Sequence, residues 1–549
     1  MDVSVSNQEI RFTVIKKTVL MGGNSIDRDR ADDAMDVGAP EDRLSNLPDG
    51  VLGHVLSFLD AKQAGRAAVL SCRYRHTFAG VHTLSFVQEE TSASSSTGAS
   101  RCDRSYKLDE DEKRRNAEFV ALVDGTVSCR RRCGAGPGLR AFCVVFDAFH
   151  HSLAGHVDRW LSAAARNGGA AAAVEEITVD ACQQERGVCA RERPDWYFRG
   201  GPFGEPRPLK DKSDGEDSDD FRDHNARHSA YRMPRWLYSS GAGAALRTLR
   251  LGSCFLDLPR HAPLRFPSVD TLALTCIPDS GRDIQSLVSS CGRLADLTLD
   301  SCRRVRAVAV LDKRLRRLAL RCCHGVRLAV DASDLRALEY KGPVPDESVL
   351  SFAGAPPAIL SCDIEFCGKK ACSEAELADL PAFLARFTAA RWLRLGSSCL
   401  GASIDRTDPS GLTPLPCLRR LELKGAAASS RSAFGAVTRI LEQTPNLEVL
   451  TLLILPNVEE IPRYRPEVTC DPMAGLDVPE VLPGPGDERG ALPGARVRQR
   501  RLLKLLLRVA AALEELYVVF PPGKFEVQSA LMAEIESWVM HRPVKVTFG

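Results

Sequence analysis

The sequence predicts an α/β fold in which a small helical module precedes a long solenoid, with parallel strands on one face and helices on the other. Two observations support this prediction. A short apolar-x-x-apolar-x-apolar phrase recurs twelve times over most of the chain. Near the N-terminus, apolar residues between 47 and 59 recur at three- and four-residue steps, which places them on one helical face.

The twelve phrases begin at residues 139, 174, 246, 269, 294, 315, 335, 359, 390, 418, 447 and 513. Two apolar residues around one polar residue predict a strand with one buried face. From 246 to 447 the starts lie 20 to 31 residues apart, a period typical of leucine-rich repeats. One such strand cannot bury its apolar face alone, so we expect successive repeats to stack and their strands to pair side by side.

The opposite face of the solenoid is predicted to be helical. Segments 282–290, 433–443 and 500–512 carry apolar residues at helical spacing between two strand phrases. The sequence therefore predicts an irregular leucine-rich-repeat solenoid over 117–549.

Polar and Pro/Gly-rich segments divide the chain. We expect disorder at 1–40, a disordered linker at 87–116, and disordered insertions at about 183–235 and 457–500. Such segments bury too little apolar surface to offset ordering entropy, which is about 1–2 kcal/mol per backbone residue. The helical module occupies 42–86 between two of them.

Composition narrows the function classes. Lys and Arg total 73 against 71 Asp and Glu, for a net charge of +2, which argues against nucleic acid as the main partner. We expect no membrane span, because no apolar run reaches about 18 residues. The N-terminal residues show no basic-then-apolar signal pattern, so we expect a cytoplasmic or nuclear location, or both.

The 19 cysteines do not indicate disulfides, because their number is odd and no secretory signal is evident. Five of them follow the last apolar strand residue by three positions, where we expect buried thiols in the turn that leaves each strand. These are Cys182, Cys254, Cys302, Cys323 and Cys367; Cys276 and Cys399 are one residue out of step.

The helical module contains Leu47-Pro48-Asp49, then Val55-Leu56-Ser57-Phe58-Leu59, then Leu70-Ser71-Cys72-Arg73-Tyr74-Arg75. These motifs closely resemble the F-box of plant F-box proteins. The resemblance implies that residues 42–86 bind a Skp-type adaptor and, through it, a cullin. It further implies that the adaptor contact or its immediate support is formed by Leu47, Pro48, Leu52, Val55, Leu56, Leu59, Leu70 and Tyr74.

The repeats resemble those of plant F-box proteins with irregular leucine-rich repeats (the FBD-like group). The similar units are 157–161, Val-Asp-Arg-Trp-Leu, and 287–291, Leu-Val-Ser-Ser-Cys. The resemblance implies a substrate-recognition subunit of an SCF-type cullin–RING ubiquitin ligase, whose repeats hold a target protein. The target itself is not readable from the residues. Candidate target contacts are polar strand residues beside the buried leucines, namely Arg250, Thr298, Glu339, Arg394, Glu422 and Tyr517.

We expect no catalytic residues, no cofactor and no metal. Gly368-Lys369 lacks the first glycine and the final Ser or Thr of a phosphate-binding loop. No cysteine spacing matches a zinc site with two paired halves. Two alternatives remain open: a repeat scaffold capped by residues 42–78 with no ligase link, and an enzyme with a cysteine nucleophile, which would need a His beside a low-pKa thiol.

Overall fold

The structure is a computed structural model of the 549-residue chain. It describes residues 46–70, 72–79, 81–88, 110–132, 139–146, 153–167, 174–181, 231–239, 241–259, 264–311, 314–331, 333–353, 358–368, 374–402, 404–407, 411–426, 430–455, 513–519 and 545–548.

Three short helices open the described chain: α1 (Asp49–Leu56), α2 (Ala61–Leu70) and α3 (Cys72–Ala79). Asp60 caps α2, because its Oδ1 accepts a 2.7 Å hydrogen bond from the backbone N–H of Gln63. The sequence prediction of a helical module is therefore confirmed.

Two features hold these helices together. The Arg73 guanidinium of α3 donates to the Asp49 carboxylate of α1 at 2.7 Å. Leu52 and Leu56 of α1 are buried in the same apolar core as Leu84. Burial of a leucine side chain stabilises by about 1.5–3 kcal/mol, so the buried side of α1 anchors the helix to the start of the repeats.

Fourteen parallel strands form the main sheet, in the order β1-β2-β3-β4-β5-β6-β8-β10-β12-β13-β14-β15-β16-β17. Their bounds are β1 Thr83–Val87, β2 Ala141–Val145, β3 Glu176–Asp180, β4 Thr248–Gly252, β5 Thr271–Thr275, β6 Asp296–Asp300, β8 Arg317–Arg321, β10 Ala337–Gly342, β12 Ser361–Phe366, β13 Trp392–Cys399, β14 Arg420–Ala426, β15 Val449–Leu455, β16 Glu515–Val519 and β17 Lys545–Phe548.

The twelve phrases all become strands of this sheet, β2 to β6, β8, β10 and β12 to β16. Within a strand such as β5, Leu272 and Leu274 are buried while the residues between and beside them are half-buried. Two further strands flank the predicted set. β1 carries Leu84 and Phe86 after Val81, which is the same phrase hidden within the range predicted as helical; β17 follows β16 at the other end.

Helices connect many of the strands and pack on the buried side of the sheet. They are α4 (Glu110–Arg132), α5 (Ala154–Asn167), α6 (Trp236–Ser239), α7 (Gly281–Ser290), α8 (Glu374–Leu384) and α9 (Ser430–Glu442). Ile284, Leu287 and Val288 of α7 share one core with the strand leucines. The predicted helices at 282–290 and 433–443 are thus confirmed, and the one at 500–512 lies outside the described residues.

Three repeats carry a strand where helix was expected. β7 (Ala307–Val310), β9 (Arg327–Asp331) and β11 (Leu350–Ala353) form a second parallel sheet in the order β11-β9-β7. The repeats that start at 294, 315 and 335 are only 20 to 24 residues long, counted to the start of the next phrase. An extended segment crosses the same distance with fewer residues than a helix does. The Gln285 amide covers the outer edge of this sheet, exchanging hydrogen bonds of 2.7 and 3.0 Å with the backbone of Ala309.

The turns after the strands explain the cysteines. Ser253, Cys276, Ser301 and Cys322 each follow a strand with a φ of 49 to 55°. Their backbone N–H groups donate to a carbonyl at the end of the next strand in the sheet, at 2.6–2.8 Å. The following residue in each case turns into the core, and these residues are Cys254, Ile277, Cys302 and Cys323.

The Cys302 and Cys323 thiols both lie 3.5 Å from a carbonyl oxygen of an earlier strand, that of Leu274 and Leu299 respectively. Cys254, Cys302, Cys323 and Cys367 are buried, as predicted, and Cys182 lies outside the described residues. Cys276 is out of step because it occupies the left-handed turn position while Ile277 fills the core position.

Two predicted boundaries differ from the structure. Helix α4 begins at Glu110, inside the predicted linker 87–116, because the charged run there continues into an amphipathic segment that buries Phe119 and Val123. Residues 231–235 are ordered although they fall in the predicted insertion 183–235. Tyr231 is buried there and its hydroxyl donates to Asp158 of α5 at 2.6 Å. The segments 1–40 and 457–500 lie outside the described residues.

Candidate functional site

The outer side of α1 carries a group of exposed apolar side chains, here called the α1 patch: Val51, Val55 and Phe58, which are 46%, 39% and 49% exposed. Val51 and Val55 are four residues apart and so lie on one helical face. The backbone N–H of Phe58 donates to Val55 at 3.1 Å, which continues the turn and brings Phe58 beside the other two. Exposed apolar side chains grouped in this way mark surfaces that bind proteins.

The predicted adaptor-binding residues occupy three environments. Pro48 and Val55 are exposed, whereas Leu47, Leu59 and Tyr74 are half-buried. Leu59 and Tyr74 are partly buried and pack against the core.

Leu52 and Leu56 are buried in the core, so they position α1 and do not form its surface. The side chain of Leu70 lies outside the described residues. Val51 and Phe58 were missed as surface residues. A helical stripe in a sequence shows which residues share a face, and it does not show which part of that face the neighbouring elements cover.

The exposed side of the main sheet is the second surface. Residues paired in register across the sheet form a continuous middle row, from Ser85 in β1 to Thr547 in β17. The structure places all six predicted target-contact residues in this one row: Arg250, Thr298, Glu339, Arg394, Glu422 and Tyr517.

Arg394 lies between two carboxylates in the middle row. Its guanidinium is 3.3 Å from Asp363 of β12 and 2.9 Å from Glu422 of β14. Burial raises the pKa of Asp363 and of Glu422 from their ordinary values, and the charge of Arg394 opposes both shifts. The three residues therefore form a half-buried unit in which two acids share the guanidinium of Arg394.

The next row, two residues further along each strand, continues the pattern of opposite charges. Glu365 of β12 lies 3.2 Å from the Lys341 amine and 3.4 Å from the Lys424 amine. Gly396 stands between Glu365 and Lys424 in register, and its missing side chain lets the two meet across β13. Burial by itself would raise the pKa of Glu365, but the two lysines together lower it below its ordinary value.

The same row contains Arg321 of β8, which donates to Glu339 at 2.5 Å and lies 3.8 Å from Asp300. The strand face from β6 to β14 is thus covered by ion pairs that link neighbouring strands. Sequence reasoning found the middle row but missed Asp363 and the row beyond it. The alternation of buried and exposed residues along a strand could have identified them. Each occupies an exposed alternate position of its strand, as the predicted candidates do.

Within the described ranges, no three His, Cys, Asp or Glu side chains come together in a way that could hold a metal ion. Burial raises the pKa of the Cys254 and Cys362 thiols, which is the opposite of what a cysteine nucleophile needs. None of the described helices has both the length and the apolar character that a membrane span requires.

Comparison with known proteins agrees with both halves of the sequence resemblance. Residues 223–356, which include β4 to β11, match the family model described as the leucine-rich repeats of the FBD-associated F-box protein At5g56370.

Among curated proteins of Arabidopsis thaliana, the chain is 46% identical over 52 residues to the F-box protein At1g58310. It is 49% identical over 45 residues to the F-box/LRR-repeat protein At3g59200, and 44% identical over 50 residues to the F-box/LRR-repeat protein At4g14103. These matches cover 8 to 10% of this chain and 9 to 13% of the relatives, so each is local. The chain is similar to plant F-box proteins that carry leucine-rich repeats, as its sequence predicts.

Proposed function

We propose that this chain is the substrate-recognition subunit of an SCF-type cullin–RING ubiquitin ligase. Residues 42–86 bind a Skp-type adaptor and, through it, a cullin, while the repeats bind a target protein for ubiquitination. The chain supplies no bond-making chemistry. It raises the effective concentration of the target near the ubiquitin-charged enzyme.

The observation that carries this proposal is the α1 patch. Leu52 and Leu56 already fix α1 to the core, so Val51, Val55 and Phe58 are not needed to hold the helix in place. Covering them with a partner stabilises the complex by about 25 cal/mol per Å² of apolar surface removed from water. The similarity to F-box proteins supports a Skp-type adaptor as that partner.

The test compares two exposed sites. The full chain with Val55→Asp and Phe58→Asp is measured for binding to a purified Skp-type adaptor, beside a control with Val87→Asp. Val87 is 52% exposed but lies on β1. Each buried interface anchor contributes about 2 kcal/mol or more, so the double variant is expected to bind at least 100-fold more weakly. The control should bind as the unchanged chain does, and equal binding by all three would contradict the proposal.

A second role has one observation in its favour. Leu52, Leu56 and Ala61 share a core with Leu84 of the first strand, as a helical cap on the repeat array would. A cap without a ligase link needs those buried residues and is indifferent to Val55 and Phe58. Adaptor binding by the unchanged chain, lost in the double variant while the melting temperature is kept, therefore separates the two roles.

A further inference from the structure

A row of arginines runs along the edge of the main sheet where the strands begin. The residues that precede β8, β10, β12, β13 and β14 are linked by backbone hydrogen bonds in series. Each N–H donates to the carbonyl of the equivalent residue on the strand before, at 2.7–3.0 Å. In order across the sheet these residues are Arg316, Arg336, Leu360, Arg391 and Arg419. The four arginines are here called the arginine edge.

The spacing of the arginine edge is fixed by the sheet. Neighbouring strands lie about 4.8 Å apart, so Arg316 and Arg419 are separated by about 19 Å. All four arginines are exposed, and so is Leu360 between them, at 37%. The result is a short line of cations with one apolar side chain at its centre.

These cations differ from those of the strand face in how they are paired. On the strand face, Arg321 and Arg394 each lie between two carboxylates. On the arginine edge, Arg419 contacts Glu448 at 2.8 Å, and Arg336 has only a 3.5 Å contact with a backbone carbonyl. Within the described residues, Arg316 and Arg391 form no ion pair and no side-chain hydrogen bond.

The same edge is balanced in charge at the other end of the sheet. The equivalent residues before β2 to β5 alternate in charge, and they are Arg140, Glu175, Arg247 and Asp270. The Arg140 guanidinium lies 3.0 Å from Glu175. The positive charge is therefore confined to the stretch from β8 to β14. It does not follow from the composition, since the chain carries only +2 overall.

We infer that the arginine edge binds an acidic peptide segment of the target protein. Guanidinium groups bind carboxylates through paired hydrogen bonds, which favours aspartate and glutamate as ligands. An extended peptide rises about 3.3 Å per residue, so roughly six residues cover the 19 Å of the edge. Exposed Leu360 favours an apolar residue in the middle of that segment.

A peptide fits this surface better than nucleic acid does. A nucleic-acid footprint uses a broad basic surface, whereas here Glu448 closes the row at one end and Ala295 precedes it at the other. The inference adds a class of ligand to the proposed function. It rests on that function in one respect, that the repeats are the part of the chain that binds the target.

The test uses the purified full chain and a fluorescent seven-residue peptide with leucine at its centre and aspartate or glutamate elsewhere. Its amide counterpart, with asparagine and glutamine in place of the acids, is the comparison probe. Arg336→Gln with Arg391→Gln is expected to weaken binding of the acidic peptide at least tenfold. Arg140→Gln with Arg247→Gln, on the balanced end of the same edge, should change it less than twofold.

Three results would overturn the inference: equal binding of the acidic and amide peptides, equal losses in the two double variants, or stronger binding of single-stranded RNA through Arg336 and Arg391. Both variants are checked for an unchanged melting temperature. Adaptor binding is measured in the same samples and should be unaffected. If the acidic peptide does not bind as expected, the ligase proposal is unaffected. If the adaptor does not bind, the result for the peptide is unaffected.

Discussion

The α1 patch and the strand face are both exposed, but their side chains are in opposite states. Val55 on α1 and Phe58 in the turn that follows it are apolar and about half exposed to water. On the strand face, Arg394 is already held by Asp363 and Glu422. Any partner of matching shape can bind an apolar patch with a favourable free energy. A network of ion pairs binds favourably only a partner that replaces each contact that it displaces. The α1 patch therefore suits a partner that does not vary, and the strand face suits discrimination between partners.

The largest expected effect separates surface from support within α1. Leu56 is buried and Val55 is exposed, although they are neighbours in sequence. Leu56→Ala is expected to lower the free energy of unfolding by about 2–4 kcal/mol, because it leaves a cavity in the core. Val55→Ala should change it by less than about 0.5 kcal/mol.

Chemical denaturation of the two α1 variants measures these differences, and adaptor binding should be weakened directly by Val55→Ala. If Val55→Ala proves as destabilising as Leu56→Ala, Val55 helps to hold the fold together and is not available as a binding surface.

A smaller effect is expected on the strand face. Arg394→Ala leaves the half-buried Asp363 and Glu422 carboxylates without their shared cation. We expect a loss of about 1–2 kcal/mol, below the value for a fully buried pair because water reaches these groups. Arg419→Ala is the control, since its pair with Glu448 is exposed and should contribute less than about 0.5 kcal/mol. Similar melting temperatures for both variants would show that Arg394 does not stabilise the fold through Asp363 and Glu422.

A third prediction concerns pH. Burial raises the pKa of Asp279 to about 6, while its Oδ2 accepts a 2.9 Å hydrogen bond from the backbone N–H of Leu256. Because the folded pKa lies above the unfolded one, ionisation of Asp279 costs stability as pH rises from about 4 to 6.

Asp279→Asn keeps the acceptor and removes the charge, so it should stabilise the chain by on the order of 1 kcal/mol at pH 7.5. The gain should vanish near pH 4. Thermal melts at the two pH values test this expectation, which a pH-independent gain would contradict.

The smallest effect is a gain in the helical module. Gly65 lies inside α2, and a Cβ there would meet no atom within 4 Å. Gly65→Ala is expected to raise stability by about 0.5–1 kcal/mol through helix propensity. Gly425→Ala is the contrast, because a Cβ there would lie within 2.6 Å of the backbone of Cys399 and Leu400. A melting temperature that rises in the first variant and falls in the second is the expected outcome.

Much of the repeat region could be predicted from the sequence, because burial of alternate residues leaves a pattern with a fixed period. Leu272 and Leu274 and their counterparts identify twelve strands, and strand parity placed Arg250 and Tyr517 in one exposed row. The strand at Leu84 was missed because it directly follows the helices, where the same residues also fit the end of the helical module.

The contacts between repeats could not be predicted in the same way. Lys424 meets Glu365, 59 residues away, only because Gly396 lies between them in register. The arginine edge likewise depends on register, which a single repeat does not reveal. In and just after α1, spacing identified a shared stripe but did not separate buried Leu56 from exposed Phe58, since that depends on the elements packed against the helix.

The most direct test of the account is affinity capture from plant cells with the proteasome blocked, comparing the unchanged chain with the Val55→Asp, Phe58→Asp variant by quantitative mass spectrometry. The account predicts that the Skp-type adaptor and cullin disappear from the variant's partners while proteins held by the repeats remain. Retention of adaptor and cullin by a folded variant would contradict it.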